Sequence, residues 1–225
     1  MARGPTRADD GEGGGAAPRS VLTPSVPQDI GIQAQRQRIL EAMAKSCAEK
    51  TFSATTIADI VSHASISRAT FYKHFANKQD CFYATADTFL LELQGAAAVA
   101  YTRSGDSTVE MVRDVIAAVL EALAADPDQA RMLLVEAPIV DAEIVRRYRG
   151  FAIAALEKLL RAGGVAGQAQ ANPEIAFGRA KVLITNYVAA DQVEDLGRLL
   201  PDLVYIALLP YAGQETALAQ AKASR

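Results

Sequence analysis

The side chains of this sequence that are best suited to contact a polyanion lie together in one segment, SRATFYKHFANK. Arg68 and Lys73 can pair with guanine O6 and N7, and the Thr70 methyl group can contact the methyl group of thymine. The Tyr72 hydroxyl and the Lys78 ammonium can each hold a phosphate oxygen. These residue types therefore suit contacts to both the base edges and the backbone of double-stranded DNA.

Two short helices are predicted to position these side chains. The first has apolar residues at the i, i+3, i+4, i+7 spacing, which places them on one helix face: Ile57, Ile60, Val61 and Ala64. Thr55 or Thr56 can cap its start, and Ser67 can cap a second helix that runs to about Phe75. Two helices joined by so short a turn form the unit that places its second helix in the major groove of DNA.

The composition of the second helix favours this interpretation. Phe71 and Phe75 are four residues apart, so they share one face and can anchor the helix to its neighbours. The rest of its surface is basic and rich in hydrogen-bond donors: Arg68, Thr70, Tyr72, Lys73 and His74. The alternative is an ordinary amphipathic helix whose charged face contacts only solvent.

A resemblance to the DNA-binding domain of the TetR family of bacterial transcriptional regulators is carried by two segments, ILEAMAKSCAEKTF and TTIADIVSHASISRATFYKHFANKQD. It covers residues 38–82 and involves an ordered series of positions across three helices. The resemblance implies an all-α fold. This fold has an N-terminal three-helix DNA-binding bundle with a helix-turn-helix, plus a C-terminal helical ligand-binding and dimerisation domain.

The resemblance also implies roles for single residues. Thr56 is similar to the family's phosphate-contacting Thr, Tyr72 to its backbone-contacting Tyr, and Lys78 to its phosphate-binding Lys. Four residues occupy the positions that usually face base edges: Arg68, Ala69, Thr70 and Lys73. Ser67 and His74 complete the predicted DNA-binding set.

Two positions depart from the family pattern. The family commonly has Gly where this chain has Thr51, at the end of the first helix, and where it has Ser65, in the turn. Gly at such positions usually supplies a positive φ, which a β-branched Thr resists and a Ser adopts only at some cost. We therefore expect the end of the first helix to shift by about one residue, with the fold unchanged because the flanking apolar pattern is intact.

The charge distribution agrees with a division into a tail at residues 1–31, a DNA-binding domain at 32–80 and a second helical domain at 81–225. The chain carries a net charge of −3, which by itself does not suit a DNA-binding protein. Residues 33–80, however, hold seven Lys or Arg against four Asp or Glu, whereas residues 81–225 hold thirteen against eighteen. The first region is thus +3 and the second −5, so only the first is expected to meet a polyanion.

The tail is predicted to be flexible, because its Gly and Pro residues and few large apolar side chains cannot form a core. An arm that reaches the minor groove is the alternative, although acidic residues offset its arginines. Further helices are predicted at 33–50, from a cap at Asn77 to about 102, at 108–125, from 126 to about 136, at 141–162, at 172–191 and at 199–221. A loop is expected at 163–170, and a kink at Pro210.

Several classes of protein and site are not indicated. Cys47 and Cys81 lack the spacing of a zinc site or a disulfide framework and are predicted to be buried thiols, so no metal and no cofactor are expected. No apolar run is long enough to span a membrane, and no signal peptide is recognisable, which favours a cytoplasmic protein. His63 and His74 are the only histidines, and no nucleophile–base pair points to a catalytic site.

The resemblance implies a small-molecule effector bound inside the C-terminal domain. The predicted lining combines large apolar side chains with a few polar anchors: Phe89, Tyr101, Met111, Met132, Leu133, Glu136, Arg147, Tyr148, Phe151, Asn186 and Tyr187. The last two helices contain the apolar runs VLITNYVAA and LVYIALLPYA and are predicted to form a homodimer interface. Packing of these helices within the monomer alone is the alternative.

These observations predict a ligand-responsive repressor that binds a palindromic operator as a homodimer. Two other functions remain open at this point. One is an all-helical enzyme with a DNA-binding appendage, and the other is an activator or architectural protein that works without a ligand.

Overall fold

The computed structural model describes residues 26–105, 107–162 and 173–224, and these residues contain helices and no strand. The all-α prediction is confirmed. The helices of the N-terminal region are α1 (Val26–Lys50), α2 (Ile57–His63), α3 (Arg68–His74) and α4 (Lys78–Arg103). Those that follow are α5 (Thr108–Ala125), α6 (Pro127–Arg131), α7 (Ala137–Val140), α8 (Ala142–Ala162), α9 (Pro173–Ala189) and α10 (Leu200–Ala223).

Helix α1 begins earlier than the sequence pattern predicts. It starts at Val26 and not near residue 33, so residues 26–31 of the predicted tail are helical. Pro27 lies in the first turn, where its missing N–H leaves no hydrogen bond unmade, and Gly31 is accommodated inside the helix. Residues 1–25 of the tail and the predicted loop at 163–170 lie outside the described residues.

The predicted end of a helix before Pro138 is wrong. The chain continues from α6 through a π-helical segment, Met132–Glu136, into α7, and Pro138 lies in the first turn of α7. Pro has no N–H to contribute to the helix ladder, and the wider turn of the π-helix absorbs the misfit just before it. The helix therefore passes the proline and ends at Val140.

Helix α10 follows a short 3₁₀ helix, Val193–Leu199, and contains Pro201 in its first turn. Pro210 lies inside α10, as predicted, but the backbone leaves helical geometry at Gly213, where φ is +76°. Only Gly adopts such a conformation without a steric penalty, so the break falls three residues beyond the proline.

The two positions where the chain lacks the family's glycines both have positive φ. Thr51 has φ of +91° and Ser65 has φ of +53°. Helix α1 ends at Lys50, within the residue or so expected, and the Thr51 N–H still donates to the Cys47 carbonyl at 2.9 Å. The turns that normally use glycine are thus formed here by residues with a Cβ, which store local strain.

One continuous cluster of buried side chains joins the N-terminal helices to the rest of the chain. It extends from Ile39 in α1 through Phe71 and Phe82 to Leu203 in α10. Helix α4 runs through both regions and packs against α1 at one end and against α5 along its length. Helix α3, which carries Arg68 and Lys73, is therefore packed on the same core as the C-terminal helices.

Candidate nucleic-acid interface and ligand cavity

The start of α2 is fixed by a reciprocal pair of hydrogen bonds. The Thr56 hydroxyl accepts from the Asp59 N–H, and the Asp59 carboxylate accepts from the Thr56 N–H at 2.9 Å. Lys50 also donates to Asp59 at 2.7 Å, and this bond, followed by that from Thr56, holds the pKa of the Asp59 carboxyl well below its usual range. Thr56 is exposed at the positive end of α2, where a phosphate group can approach.

Helix α3 is held by its cap and by two aromatic side chains. The Ser67 hydroxyl accepts from the Thr70 N–H at 3.0 Å. Phe71 and Phe75 are buried, with ring centroids 5.8 Å apart, and Phe71 contacts the core shared with α1 and α4. The predicted anchoring of this helix by its two phenylalanines is confirmed.

The opposite face of α3 lies in solvent. Arg68, Ala69, Tyr72 and Lys73 are all exposed, and Ser67 is exposed beside them. Neither Arg68 nor Lys73 forms a hydrogen bond or ion pair with another described residue. Both cations are thus available to an external anion.

Two members of the predicted set are less accessible. Thr70 is half-buried, and its hydroxyl is 2.9 Å from that of Ser67. His74 is also half-buried, and its Nε2 is 2.9 Å from the Gln35 amide oxygen on α1. His74 therefore links α3 to α1 in addition to any contact with DNA.

Lys78 has a structural contact that the sequence did not indicate. Its ammonium donates to the backbone carbonyls of Phe52 and Thr55, each at 2.7 Å, and lies 4.3 Å from the centre of the Phe52 ring. Two of its three N–H groups are thus used inside the protein. A contact between Lys78 and a DNA phosphate stays a prediction, and it would use the third N–H group of the ammonium.

The family model for bacterial regulatory proteins of the tetR family matches residues 39–85, which span α1 to α4 and include the exposed face of α3. This part of the chain is a TetR-family DNA-binding domain. Its helix-turn-helix is formed by α2 and α3.

Solved structures share this TetR-family fold over most of the chain. The fatty acid degradation regulator FadR from Bacillus halodurans is 19% identical with a TM-score of 0.69, over 77% of this chain and 94% of that one. FadR from Bacillus subtilis, in complex with stearoyl-CoA, is 19% identical with a TM-score of 0.66. The match covers 79% of this chain and 98% of that one.

A third similar structure is SmeT, the repressor of the Stenotrophomonas maltophilia multidrug efflux pump SmeDEF. It is 24% identical with a TM-score of 0.61, over 80% of this chain and 91% of that one. At this level of identity these likenesses establish the fold. Comparison with curated protein sequences gives no significant match.

The C-terminal part of the chain contains a cavity of about 250 Å³. Helices α4, α5, α8, α9 and α10 and the π-helical segment all contribute to its wall. Most of the lining consists of aliphatic side chains, among them Leu93, Val112, Ile116, Leu123, Ile184 and Leu203. Its chemistry suits the burial of an apolar molecule.

Three of the predicted effector contacts line this cavity: Leu133, Tyr148 and Phe151. The other predicted contacts lie elsewhere. Phe89 and Met132 are in the core, Met111 packs against α10, and Tyr187 packs on the main core. Tyr101 and Asn186 are exposed, Arg147 pairs with Asp87 at 2.8 Å, and Glu136 bonds to a backbone N–H.

The predicted lining consists mainly of aromatic and sulfur-containing side chains, whereas the cavity wall is mainly Leu, Val, Ile and Ala. Apolar residues such as Val112 and Ile116 recur at helical spacing along the inner face of α5, which indicates that this face is buried. The spacing does not show whether the face meets a packed core or a cavity. Helix α9 also contains Glu174 and Arg179, so no local signal marks Lys181 as the charged residue of the wall.

Glu136 connects the wall of the cavity to the DNA-binding region. Its carboxylate is buried and accepts from the Phe52 N–H at 2.8 Å. Phe52 lies between α1 and α2, and its ring packs on that of Phe82 with centroids 4.7 Å apart. Two further contacts connect α4 to α8 and to the residue before it: the Tyr83 hydroxyl donates to Asp141, between α7 and α8, at 2.9 Å, and Asp87 pairs with Arg147 on α8.

Two findings limit other kinds of site in the described part of the chain. No group of three or more His, Cys, Asp or Glu side chains there is arranged to hold a metal ion. None of the described helices is long and apolar enough to cross a membrane.

Proposed function

We propose that the chain is a ligand-responsive repressor that binds a palindromic operator as a homodimer and releases it when an effector occupies the C-terminal cavity. The observation that carries the DNA-binding part is the exposed face of α3, where Arg68 and Lys73 have no partner among the described residues. The cavity supports the effector part, because an apolar cavity in the body of a regulator is suited to a small molecule. A cytoplasmic location follows from this function.

The proposed DNA contacts divide into two groups. Arg68, Ala69, Thr70 and Lys73 lie on the part of α3 that would meet base edges, and Ser67 lies at its start. Thr56, Tyr72, His74 and Lys78 surround this surface and would meet phosphates. The two groups correspond to sequence-dependent and sequence-independent parts of the affinity.

A homodimer through the last two helices is supported by apolar side chains that α9 and α10 expose. Ile175 is 56% exposed and Val182 is 58% exposed, and both lie on α9 two helical turns apart. Leu218 on α10 is also exposed. A second copy of the same surface would cover these side chains and set the spacing between two α3 helices.

The similar structures agree with an effector-controlled repressor. One FadR structure contains stearoyl-CoA, and SmeT is a repressor of an efflux pump. In such a repressor the effector must bind one conformation better than the other, and a differential affinity of a few kcal/mol is enough to shift the population. The contacts of Glu136 and Tyr83 supply a path from the cavity wall to α1–α4.

Selection of bound duplexes from a random DNA pool tests the DNA-binding part. We expect an enriched palindrome whose half-sites are about one helical turn, or a multiple of a turn, apart. Enrichment of a single unpaired half-site would contradict the dimer. Recovery of no preferred sequence at low salt would contradict the regulator function itself.

Val182→Asp tests the interface. Two charges brought together in an apolar contact are strongly unfavourable, so we expect the variant to elute as a monomer in size exclusion with light scattering and to lose most of its affinity for the palindrome. Ile139→Asp is the matched control, because Ile139 is also exposed but lies on α7. Equal dimer fractions in the two variants would place the interface elsewhere.

A further inference from the structure

The cavity wall contains very few polar groups, and two of them lie close together. Among the described lining residues Lys181 is the only charged side chain, and Tyr148 is the only one with a hydroxyl group. The Lys181 ammonium lies 5.9 Å from the centre of the Tyr148 ring. An otherwise aliphatic cavity thus has one corner that can bind a polar head group.

The Tyr148 hydroxyl is a buried donor that the described protein does not use. Tyr148 is only 7% exposed, and no described residue forms a hydrogen bond with its hydroxyl oxygen. Buried hydroxyl groups are normally paired, because leaving one unpaired costs about 1–3 kcal/mol. Burial raises the pKa of Tyr148 to about 12, so the group remains a protonated donor near neutral pH. A ligand oxygen in the cavity would satisfy it.

Lys181 determines which ligand charge is acceptable. A cation placed in this corner would meet a like charge, and a purely apolar ligand would leave the Tyr148 hydroxyl unpaired. A carboxylate can accept a hydrogen bond from Tyr148 and is attracted to the ammonium of Lys181, and no Asp or Glu among the described lining residues competes with it.

From this geometry we infer that the effector is an amphipathic carboxylate whose head group binds between Tyr148 and Lys181 and whose hydrocarbon body fills the aliphatic part of the cavity. This inference rests on the proposed function, since it names the ligand class of the same cavity. A volume of about 250 Å³ lies just below the usual range for ligand sites, about 300–1,000 Å³, and therefore favours a chain of medium length.

Three probes with the same hydrocarbon chain test the head group: decanoate, decanol and decyltrimethylammonium. Each is titrated into the full-length protein, below its micelle-forming concentration, to displace the neutral apolar dye phenylnaphthylamine. We expect decanoate to bind about tenfold or more tightly than decanol, because a hydrogen bond to a charged group is stronger than one to a neutral group. The ammonium compound should bind most weakly, because its charge has the same sign as that of Lys181.

Two variants locate the head group. Tyr148→Phe and Lys181→Met are each expected to weaken decanoate binding by about tenfold, and Lys181→Met is expected to leave decanol binding nearly unchanged. Tyr187→Phe and Lys222→Met are the matched controls, because neither residue lines the cavity and both substitutions should leave decanoate binding as it is.

The outcomes separate this inference from the proposed function. If decanol competes as well as decanoate, or if Lys181→Met leaves decanoate affinity unchanged, the carboxylate preference is wrong while the apolar effector site stands. If the dye occupies the cavity, as shown by weaker dye binding in a cavity-filling variant such as Ala180→Phe, and none of the probes displaces it, both the preference and the effector role of the cavity fail. The palindrome selection reports on DNA binding independently of either result.

Discussion

The Phe52 N–H donates to the Glu136 carboxylate at 2.8 Å, across 84 residues of sequence. Glu136 ends the π-helical segment, and Leu133 and Leu134 in the same segment line the cavity. Phe52 also offers its carbonyl to Lys78, the first residue of α4. One irregular turn of helix thus contacts both the cavity and the loop that supports the helix-turn-helix.

Loss of this contact should destabilise the fold. Glu136→Leu leaves the Phe52 N–H without its acceptor, so we expect the free energy of unfolding to fall by about 1–3 kcal/mol. Glu136→Gln keeps an acceptor oxygen and should lose less. Urea unfolding measures both. Glu121→Leu, at an exposed position on α5, is the control and should change stability little. A Glu136→Leu variant as stable as this control would show that the bond contributes nothing.

Thr51→Gly should stabilise the protein. Thr51 has φ of +91°, a conformation that glycine adopts freely and a β-branched residue does not, so we expect a gain of about 1 kcal/mol. Melting curves give the direction, and urea unfolding gives the magnitude. Ser53, two residues on, does not have a positive φ. Ser53→Gly should therefore lower stability, because glycine raises the conformational entropy of the unfolded chain. The idea is contradicted if both variants change in the same direction.

Substitutions on α3 should separate base recognition from phosphate binding. Lys73→Ala or Arg68→Ala is expected to relax the preference at particular base pairs by about 1–3 kcal/mol, whereas Tyr72→Ala should weaken binding to all sequences. Lys78→Ala should also weaken binding uniformly and flatten the salt dependence. Gel-shift titrations at two salt concentrations, against operator and scrambled duplexes, measure these effects.

Lys78→Ala has a second effect that must be measured beside the first. The substitution removes two hydrogen bonds to the Phe52 and Thr55 carbonyls, so we expect a lower melting temperature as well. Comparison is made with Lys73→Ala, whose side chain is exposed and should not affect melting. If Lys78→Ala melts lower but keeps the wild-type salt slope, the lysine supports the fold and does not bind phosphate.

Stability should fall in alkali because of two buried thiols. Burial raises the pKa of Cys47 and of Cys81 from the ordinary value near 9 to about 12. Below the ordinary value both thiols are protonated in the folded and unfolded states, and no pH dependence follows. Above it only the unfolded thiols ionise, so the unfolded state releases protons and is favoured as pH rises. The urea midpoint should therefore drop as pH rises above about 9 and continue to drop towards about pH 12.

The double variant Cys47→Ala, Cys81→Ala isolates this effect. It loses some packing and starts from a lower midpoint, but its midpoint should fall less over the same pH interval. Parallel curves for the variant and the wild type would show that the thiols do not contribute.

Local signals predicted the positions where helices begin after a cap. Thr56, Ser67 and Asn77 each accept from an N–H three residues on, and that bond depends only on neighbouring residues. The sequence pattern predicts the start of α1 near residue 33 and not at Val26, because Pro27 and Gly31 are typical of a tail, although a proline in the first turn is compatible with a helix.

The cavity wall could not be predicted in the same way. Val112 and Lys181 come from helices far apart in sequence, and only the packing of α10 against both α5 and α9 brings their side chains to one space. Periodicity indicates which face of a helix is inside but not whether the inside is filled. The link from Glu136 to Phe52 likewise depends on a π-helical turn that no local signal specified.

The proposed DNA-facing side chains end at Lys78, and the cavity wall begins at Leu90. These two sets do not overlap in sequence. Recombination near the start of α4 could therefore give descendants that sense a different metabolite at the same promoter, and a biosensor could be retuned by exchanging only the later segment.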